Sequence, residues 1–198
     1  MLRGGLNLPI RDDHPDFPAL VLANHLFGGS SVARVPARVR EKEGLSYSTF
    51  TSFSSSAFDE SATFRVSSIF APQNRSRVEA AIREELVRAA QDGFTVREVD
   101  DGRKSLLESR RLTRSQDRSL AGRLSFYLFA GRTFDWDIAF ESKIAALTPA
   151  EVNAAIKRRV HARDLAITMV ATASTMKKLL TAAKVEESAI DVVPFESY

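Results

Sequence analysis

The stretch that decides the fold runs from Leu26 to Tyr47 and reads LFGGSSVARVPARVREKEGLSY. It begins inside an apolar helix, and we expect the pair Gly28-Gly29 to stop that helix. A second helix follows and runs to about Lys42, after which Gly44 supplies a left-handed stop with Leu45 as its apolar clip. The stretch therefore predicts a helix, a second helix and the start of a strand in close succession.

The segments outside this stretch add strands on both sides. Residues 47–58 are rich in Ser, Thr and Phe without a helical stripe, and residues 62–70 alternate between apolar and polar side chains. With a turn at Asp59-Glu60 between them, they predict two antiparallel strands. A short strand is predicted near the start of the chain, at Leu6–Ile10, and another near its end, over residues 165–172.

Helical stripes fill the rest of the chain. One helix ends at Gly93, and Thr95 with Glu98 forms a capping box that opens a long tract to about Phe129. The polar middle of that tract, residues 110–118, predicts a bend or break. Candidate core positions in the tract are Val99, Leu106, Leu107, Leu120, Leu124 and Tyr127. A further helix is predicted over residues 134–147, and Thr148 with Glu151 opens the next.

The order of strands and helices predicts an α+β fold. Grouped strands separated by long helices indicate a mixed or antiparallel sheet covered by helices. With 198 residues and 44% apolar composition, the chain is long enough for a sizeable core without disulfides or a structural metal. We therefore assign one domain to residues 1–198, with the tail 174–198 packed on it. Because a strand reads as already under way near the first residue, we expect this domain to be a fragment of a longer polypeptide.

The composition excludes several classes of site. The chain has no cysteine, which excludes disulfides, cysteine nucleophiles and cysteine metal centres. No run of about 18 apolar residues occurs, so no membrane span is predicted. The 28 basic and 25 acidic residues give a net charge of only +3, which does not by itself indicate a nucleic-acid partner.

The three histidines, His14, His25 and His161, do not form a metal-binding pattern, because none has another within ten residues. His25 lies on a helix that looks buried, and we interpret it as a packed core residue. His14 is interpreted as a turn or capping residue. His161 follows a basic helix end, where a cation is stabilised by the helix dipole.

Searches for nucleophile and phosphate motifs also fail. The serines of residues 46–56 lack a Gly-x-Ser-x-Gly turn, and neither a dinucleotide-binding glycine pattern nor a Gly-Lys-Ser/Thr loop is present. One basic tract is the best case for an anionic partner. Its members are Arg103, Lys104, Arg110, Arg111, Arg114, Arg118 and Arg123. Glu108 and Asp117 interrupt it and aromatic residues are absent until Phe126, so we interpret it as a solvated face.

The opening stretch also carries a family resemblance. It resembles the C-terminal domain of the pitrilysin/insulinase (M16) zinc metallopeptidases, whose motif runs approximately Leu-Gly-Gly, a Ser-Arg stretch, then Leu-Arg-Glu-Lys-x-Gly-Leu-Ala-Tyr. The counterpart here ends in VREKEGLSY at residues 39–47, with an Arg and a Tyr seven residues apart. Departures are Phe27 for the usual Leu, Ser46 for Ala, and Val35-Pro36 in the helix. A weaker similarity continues along nearly the whole chain.

The resemblance implies a function shared with another domain. In the family, the His-x-x-Glu-His helix and a third ligand, a Glu, hold zinc in a separate N-terminal domain, and this chain contains none of them. We therefore expect no metal, no cofactor and no catalytic activity in this chain alone, with zinc in a partner domain or subunit. Arg40 and Tyr47 resemble the pair that holds the substrate backbone, where the Tyr hydroxyl helps to stabilise the oxyanion. The expected fold is that of the mitochondrial-processing-peptidase-like domains, and the bacterial periplasm is the compartment that the family suggests.

Residue chemistry agrees with this role but leaves alternatives open. An Arg fork suits carbonyl or carboxylate oxygens, and a phenol donor suits a developing negative charge. Alternatively, Arg40 only ends its helix near the negative pole of the dipole and Tyr47 only begins a strand. At the level of the whole protein, the first prediction is the substrate-binding domain of a zinc endopeptidase that hydrolyses unstructured peptides. The alternatives are an inactive scaffold domain of the same family and, third, a basic nucleic-acid-binding module.

Overall fold

The fold is built on one four-stranded antiparallel sheet. A computed structural model describes residues 1–169 together with residues 174, 177 and 181. The strands lie in the order β2-β3-β1-β4, and every adjacent pair is antiparallel. Their bounds are Leu2–Leu8 (β1), Ser48–Ser55 (β2), Ala62–Ile69 (β3) and Ala166–Met169 (β4). The α+β class is confirmed, and of the two sheet types considered the antiparallel one is present.

Seven helices accompany the sheet among the described residues. Two of them end in π-helical turns, His25–Gly29 after α1 and Ala37–Lys42 after α2, and single 3-10 turns lie at Pro72–Asn74 and Ala162–Asp164. The helices are α1 (Phe17–Asn24), α2 (Arg34–Pro36), α3 (Arg75–Gln91), α4 (Val96–Arg114), α5 (Asp117–Phe129), α6 (Asp135–Ala146) and α7 (Pro149–Arg159). The predicted break in the long tract is confirmed between α4 and α5.

The main core lies between one face of the sheet and the helices. Alternate side chains of β1 and β3, such as Leu6 and Val66, are buried there against α1, α3 and α7. Burying each such aliphatic side chain stabilises the fold by about 1.5–3 kcal/mol. The opposite face carries exposed or half-buried residues, Arg3 and Arg65 among them. The strands thus follow the alternation that the sequence predicts.

The local helix signals are confirmed at both ends of several helices. Thr95 and Thr148 each accept a hydrogen bond from the backbone N–H three residues on, and both capping boxes are complete. Gly44 and Gly93 have φ values of 60° and 74°, the left-handed conformation that glycine adopts without strain. These signals are local in sequence, which explains why they could be recognised without the fold.

The start of β1 differs from the prediction, and the glycine pair after α1 has a second role. β1 begins at Leu2 rather than Leu6, because Gly4 lets the strand pass close to Val66, where an added Cβ would lie 2.8 Å from Cγ1. The pair Gly28-Gly29 ends the first helix as predicted, because its last, π-helical turn finishes at Gly29 and Ser30 is extended. Gly28 also permits close packing on β2, where a Cβ would lie 2.6 Å from Cγ2 of Thr51.

Two further predictions concern exposure and the end of the chain. Leu124, a predicted core residue, is 46% exposed, whereas Val99 and Tyr127 are buried as expected. Leu124 lies on the outer side of α5, where no described element covers it. The predicted last strand is present as Ala166–Met169. Residues 170–172 and, apart from 174, 177 and 181, the tail 174–198 lie outside the described residues.

Candidate functional site

Arg40 lies in the π-helical turn that follows α2. The wider turn spacing of a π-helix is rare and is found often at functional sites. Arg38, two residues earlier, donates hydrogen bonds to three carboxylates, those of Glu43, Glu84 and Glu85. The Arg40 side chain is 54% exposed, and its ion pair is with the adjacent, exposed Glu41, at 3.2 Å between Nε and Oε1. Of these two arginines, Arg38 therefore ties the turn to α3, and Arg40 projects from the turn into solvent.

The backbone between Arg40 and Tyr47 is held in one conformation. Gly44 turns the chain with a φ of 60°. The N–H of Leu45 then donates to the carbonyl of Val39 at 2.8 Å, and the Leu45 side chain is buried. This is the apolar clip that the sequence predicts beyond a helix stop. The chain consequently leaves the helix in a defined direction towards β2.

The segment from Arg34 to Tyr47, in which the chain passes from helix through a turn to the start of β2, is called the corner below. Ser46 anchors its strand side. Its hydroxyl donates to the carbonyl of Ile69 at 2.6 Å and accepts from the N–H of Ser48 at 3.1 Å. The hydroxyls of Thr49 and Ser68 also lie within 3.3 Å of it. Ser46 is buried, so these bonds satisfy a polar group that would otherwise be costly to bury. The Ser that replaces the family's Ala thus has a structural explanation.

Tyr47 is the most exposed large side chain of the corner. It is 93% exposed, and no described residue forms a hydrogen bond with its hydroxyl in the structure. Leu45 and Ser46, the two residues before it, are both buried, so the backbone is fixed while the ring projects into solvent. The structure thus brings Arg40 and Tyr47 to one helix–turn–strand corner, without a hydrogen bond or ring contact between them.

This corner offers two hydrogen-bond donors to an outside group. The Arg40 guanidinium presents several N–H donors in a fixed fork, and the Tyr47 hydroxyl can donate one hydrogen bond. Such donors suit carbonyl or carboxylate oxygens. The structural alternative is compatible with the same exposure, since Arg40 lies in the last turn of its helix and Tyr47 directly precedes β2.

Arg34, the first residue of α2, joins the start of the corner to α4. Its Nε and Nη2 donate to the two carboxylate oxygens of Glu98, at 2.7 and 2.9 Å, and Nη2 also donates to the carbonyl of Gly93. Hydrogen bonds from Arg34 lower the pKa of Glu98 to about 2, helped by donation from Thr95 and opposed by partial burial. The guanidinium also lies 4.5 Å from the ring centre of Phe94. The start of α2 is therefore held by charge as well as by packing.

The basic tract forms the predicted solvated face only in part: Lys104, Arg111 and Arg118 are exposed, whereas three other arginines turn inwards. Arg110, Arg114 and Arg123 point to Asp137 of α6, which is 1% exposed, at N–O distances of 2.5, 3.2 and 2.8 Å. The hydroxyl of Tyr127 also donates to Asp137, at 2.7 Å. Glu141 accepts from Arg110 and Arg114 as well. We call these six residues the Asp137 cluster.

Sequence reasoning missed the Asp137 cluster because its acceptors lie on another helix. Burial together with the hydrogen bond to Asp137 raises the pKa of Tyr127 to about 12. The one available signal was the spacing of Arg110 and Arg114, which places both on one side of α4. Asp137 and Glu141 have the same spacing on α6. Matching the two pairs required knowledge that the helices are neighbours.

The histidines do not converge on a metal site. His14 Nδ1 accepts the N–H of Asp16 at 3.0 Å, which confirms a turn role. His25 is half-buried with Nε2 3.2 Å from the Ser105 hydroxyl, and burial lowers its pKa. Among residues 1–169, 174, 177 and 181, no group of three or more His, Asp or Glu side chains could hold a metal ion. The donor set in the described chain therefore does not fit zinc.

Two sequence comparisons connect this chain with known proteins. The sequence profile of the peptidase M16 inactive domain matches residues 3–106, just over half of the chain. The non-peptidase homolog YmxG of Helicobacter pylori is 24% identical over 166 residues, which are 84% of this chain and 38% of that protein. The chain thus spans well under half the length of this relative.

Solved structures share the fold. The peptidase M16 inactive domain structure from Pseudomonas fluorescens matches with a TM-score of 0.71 and 23% identity, over 86% of this chain and 42% of that one. A protease from Helicobacter pylori matches with a TM-score of 0.73 and 14% identity, over 84% and 40%. An inactive peptidase domain from Bordetella parapertussis matches with a TM-score of 0.71 and 12% identity, over 86% and 91%.

These findings agree on one family. The matched profile contains the whole corner from Arg34 to Tyr47. No helix within the described part of the chain is long and apolar enough to cross a membrane. The chain belongs to the peptidase M16 family, in which it is an inactive domain of the C-terminal type.

Proposed function

We propose that this chain is the substrate-holding domain of an M16 zinc endopeptidase that hydrolyses unstructured peptides. The observation that carries the proposal is the corner at Arg40 and Tyr47, where a rigid backbone presents two exposed hydrogen-bond donors. Among the described residues, Arg40 pairs with the exposed Glu41, and the Tyr47 hydroxyl forms no hydrogen bond. The zinc and the residues that bind it would belong to the partner domain. By itself the chain is expected to be inactive.

The Arg40 side chain is suited to holding the backbone of a bound peptide. Its guanidinium is always charged and can donate two parallel hydrogen bonds to a carbonyl or carboxylate. The neighbouring Glu41 is exposed, and such surface ion pairs are worth only about 0–1 kcal/mol. Arg40 can therefore exchange Glu41 for a substrate oxygen at little cost in free energy.

The Tyr47 hydroxyl is suited to stabilising the oxyanion that develops on the attacked carbonyl. A neutral donor fixed before the reaction needs no reorganisation when the charge appears. Loss of one such donor reduces turnover by about 10²–10³-fold. Leu45 and Ser46 fix the backbone next to Tyr47 in this way.

The test uses this chain together with the M16 domain that carries His-x-x-Glu-His, whether upstream on the same polypeptide or on a partner subunit. Tyr47→Phe is expected to lower turnover of an unstructured peptide by about 10²-fold, and Arg40→Ala to lower it as well, since both remove transition-state contacts. Zinc content and folding should not change. The control is Arg77→Ala, another exposed arginine, on α3, with a weak contact to Glu43 at 3.7 Å.

A second candidate function is an inactive scaffold domain of the same family. The name of the Helicobacter pylori relative, a non-peptidase homolog, favours it. In that case the polypeptide or its partner would lack His-x-x-Glu-His. Wild-type turnover in both Arg40→Ala and Tyr47→Phe would likewise leave the corner with only a structural role.

The third alternative, a nucleic-acid-binding module, has less support. Arg110, Arg114 and Arg123 of the basic tract already bind carboxylates, so they are not free to bind phosphates. A nucleic-acid role predicts retention on a polyanion with a steep dependence on salt. We expect weak retention, and strong salt-dependent retention would favour this alternative.

A further inference from the structure

No described element covers the face of the sheet that points away from the core. The alternation along β1, β2 and β3 places exposed or half-buried side chains there. We call this surface the outer sheet face. The residues at its centre, in two rows across the strands, are Arg3, Gly5, Phe50, Arg65, Ser67 and Thr168.

The outer sheet face carries two positive charges and, on the described strands, no negative one. Arg3 lies opposite Ser67, and Gly5 lies opposite Arg65, so the two arginines are diagonal neighbours with about 7–8 Å between them. Both are exposed, and neither forms an ion pair with a described residue, whereas arginines of the helices such as Arg34 are paired. Two like charges at this distance repel each other, and a carboxylate between them would relieve the repulsion.

Small side chains surround the two arginines. Gly5 lies beside Arg65 and Ser67 beside Arg3, so an extended peptide backbone has room to approach the sheet. The Ser67 hydroxyl can donate a hydrogen bond to it. Phe50, which is 53% exposed and lies opposite Ser67, offers an apolar contact. The surface therefore combines cationic, polar and apolar contacts for an extended chain.

The outer sheet face is close to the corner. Tyr47 directly precedes β2, and Phe50 lies three residues further on, a distance of about 10 Å along the strand. Arg3 lies two strands away from Phe50, again about 10 Å. We propose that the outer sheet face binds acidic side chains of an unstructured peptide, so that the domain selects acidic peptides. That this peptide is a substrate rests on the proposed function, whereas its binding does not.

A single-stranded nucleic acid is the main competing occupant. Proteins bind such strands in a positively charged groove with several aromatic side chains, on which successive bases stack. On the described strands the outer sheet face has one aromatic side chain, Phe50. The face is therefore better suited to carboxylates than to a row of bases.

Peptide binding to the full chain of 198 residues tests the inference without catalysis. The probe is a fluorescently labelled peptide rich in Gly and Ser that carries glutamates, and it is compared with a peptide that carries glutamines at the same positions. In fluorescence anisotropy at low ionic strength, the Glu peptide should bind about fivefold more tightly, as expected for two exposed ion pairs. The preference should disappear in about 1 M salt, where the Debye length falls to about 3 Å.

Two double variants connect the preference with the outer sheet face. Arg3→Gln with Arg65→Gln should remove it, whereas the control Arg118→Gln, which removes the charge of an exposed arginine on α5, should retain it. Because Arg3 and Arg65 are exposed, the circular dichroism spectrum should not change. Arg3→Glu with Arg65→Glu should reverse the preference, towards a peptide with lysines at the same positions. Misfolding would not produce such a reversal.

Four outcomes would overturn the inference. One is equal affinity for the Glu and Gln peptides, and another is a preference that persists in the Gln double variant. The third is tighter binding of a single-stranded oligonucleotide of the same charge, which would assign the face to nucleic acid. The fourth is binding of the Glu peptide only after removal of residues 185–198, which carry four acidic residues; it would assign the face to this chain's own tail.

The proposed function and the peptide preference have different readouts. Wild-type turnover of Tyr47→Phe would contradict the proposed function and leave the preference for the Glu peptide intact. Equal affinity for the two peptides would contradict the preference and leave the Tyr47→Phe result intact. With the zinc-carrying domain present, the Gln double variant should raise KM for the Glu peptide and leave kcat unchanged, because the two arginines bind substrate and transition state equally.

Discussion

Two groups of charged and polar residues in this domain have opposite surroundings. In the Asp137 cluster, three arginines and a tyrosine converge on one buried carboxylate. At the corner, Arg40 and Tyr47 carry the same chemical groups, a guanidinium and a phenol, yet both are largely exposed. The same residue types therefore satisfy one another in one region and face solvent in the other.

The difference separates structural from functional use of these groups. A buried carboxylate must be paired, because an unpaired charge in the interior is strongly destabilising. The pairing joins α4, α5 and α6. An exposed donor on a rigid backbone stabilises the fold little and remains available to a ligand. Substitutions in the two regions should therefore affect different properties.

The largest expected effect is on the Asp137 cluster. Asp137→Ala leaves Arg110, Arg114, Arg123 and Tyr127 without their shared acceptor. Breaking a buried charge pair in this way costs about 3–5 kcal/mol of the free energy of unfolding. Urea denaturation followed by circular dichroism measures this change. A loss below about 1 kcal/mol would show that the cluster is dispensable and would remove the contrast with the corner.

The matched control for this substitution is Asp101→Asn on α4. Asp101 is exposed and forms an i,i+4 pair with Arg97 at 3.6 Å. Exposed pairs of this kind contribute little. The free energy of unfolding should change by at most about 0.5 kcal/mol.

An intermediate effect on the free energy of unfolding is expected at the pair of Arg34 and Glu98. Glu98→Gln weakens both hydrogen bonds from Arg34 and the capping box with Thr95. Because the Glu98 side chain is about one third exposed, solvent screening limits the loss to about 1–2 kcal/mol. Glu151→Gln is the control, since Glu151 completes the same kind of capping box with no arginine partner among the described residues, and it should cost less.

The pair of Arg34 and Glu98 also predicts that the stability of the fold depends on pH. The pKa of Glu98 is about 2 in the folded chain, against an ordinary value of 4.5. As the pH falls from 4.5 towards 2, the unfolded chain binds a proton that the folded chain does not, so the contribution to stability is lost in that window. The difference in urea midpoint between wild type and Glu98→Gln should therefore shrink below pH 4.5. A constant difference down to pH 2 would contradict the role of Arg34.

The smallest effect on stability is expected at Tyr47. Tyr47→Ala removes a side chain that is 93% exposed, and the free energy of unfolding should change by at most about 0.5 kcal/mol. The measurement is the same urea titration used for Asp137→Ala. A loss above 1 kcal/mol would show that Tyr47 packs on the fold, and the corner would then resemble the Asp137 cluster.

The sequence predicted the features that depend on neighbouring residues. The capping boxes at Thr95 and Thr148, the stop at Gly44 and the alternation of β3 follow from short-range hydrogen bonding and side-chain periodicity. The corner itself was located by its motif, because Arg40 and Tyr47 are only seven residues apart. Their role in substrate binding stays a prediction.

The features that the sequence could not predict depend on contacts between distant segments. Gly4 lies before the predicted strand at Leu6–Ile10, yet it belongs to β1, where Val66 and Leu165 leave no room for a side chain. Arg110 reads as a solvated residue, yet it binds Asp137, 27 residues further on. Leu124 reads as a core residue, yet it faces outwards. In each case a residue's environment is decided by which element packs against it.

The sequence by itself determined the α+β class, the helix ends and the family motif that contains Arg40 and Tyr47. Only the tertiary structure decided which charged groups are paired, and which apolar side chains, such as Leu128 and Phe129, remain exposed. The physical reason is the distance along the chain between the residues that interact. Caps and strand alternation are set by residues within a few positions, whereas burial and ion pairing depend on three-dimensional neighbours that no local pattern specifies.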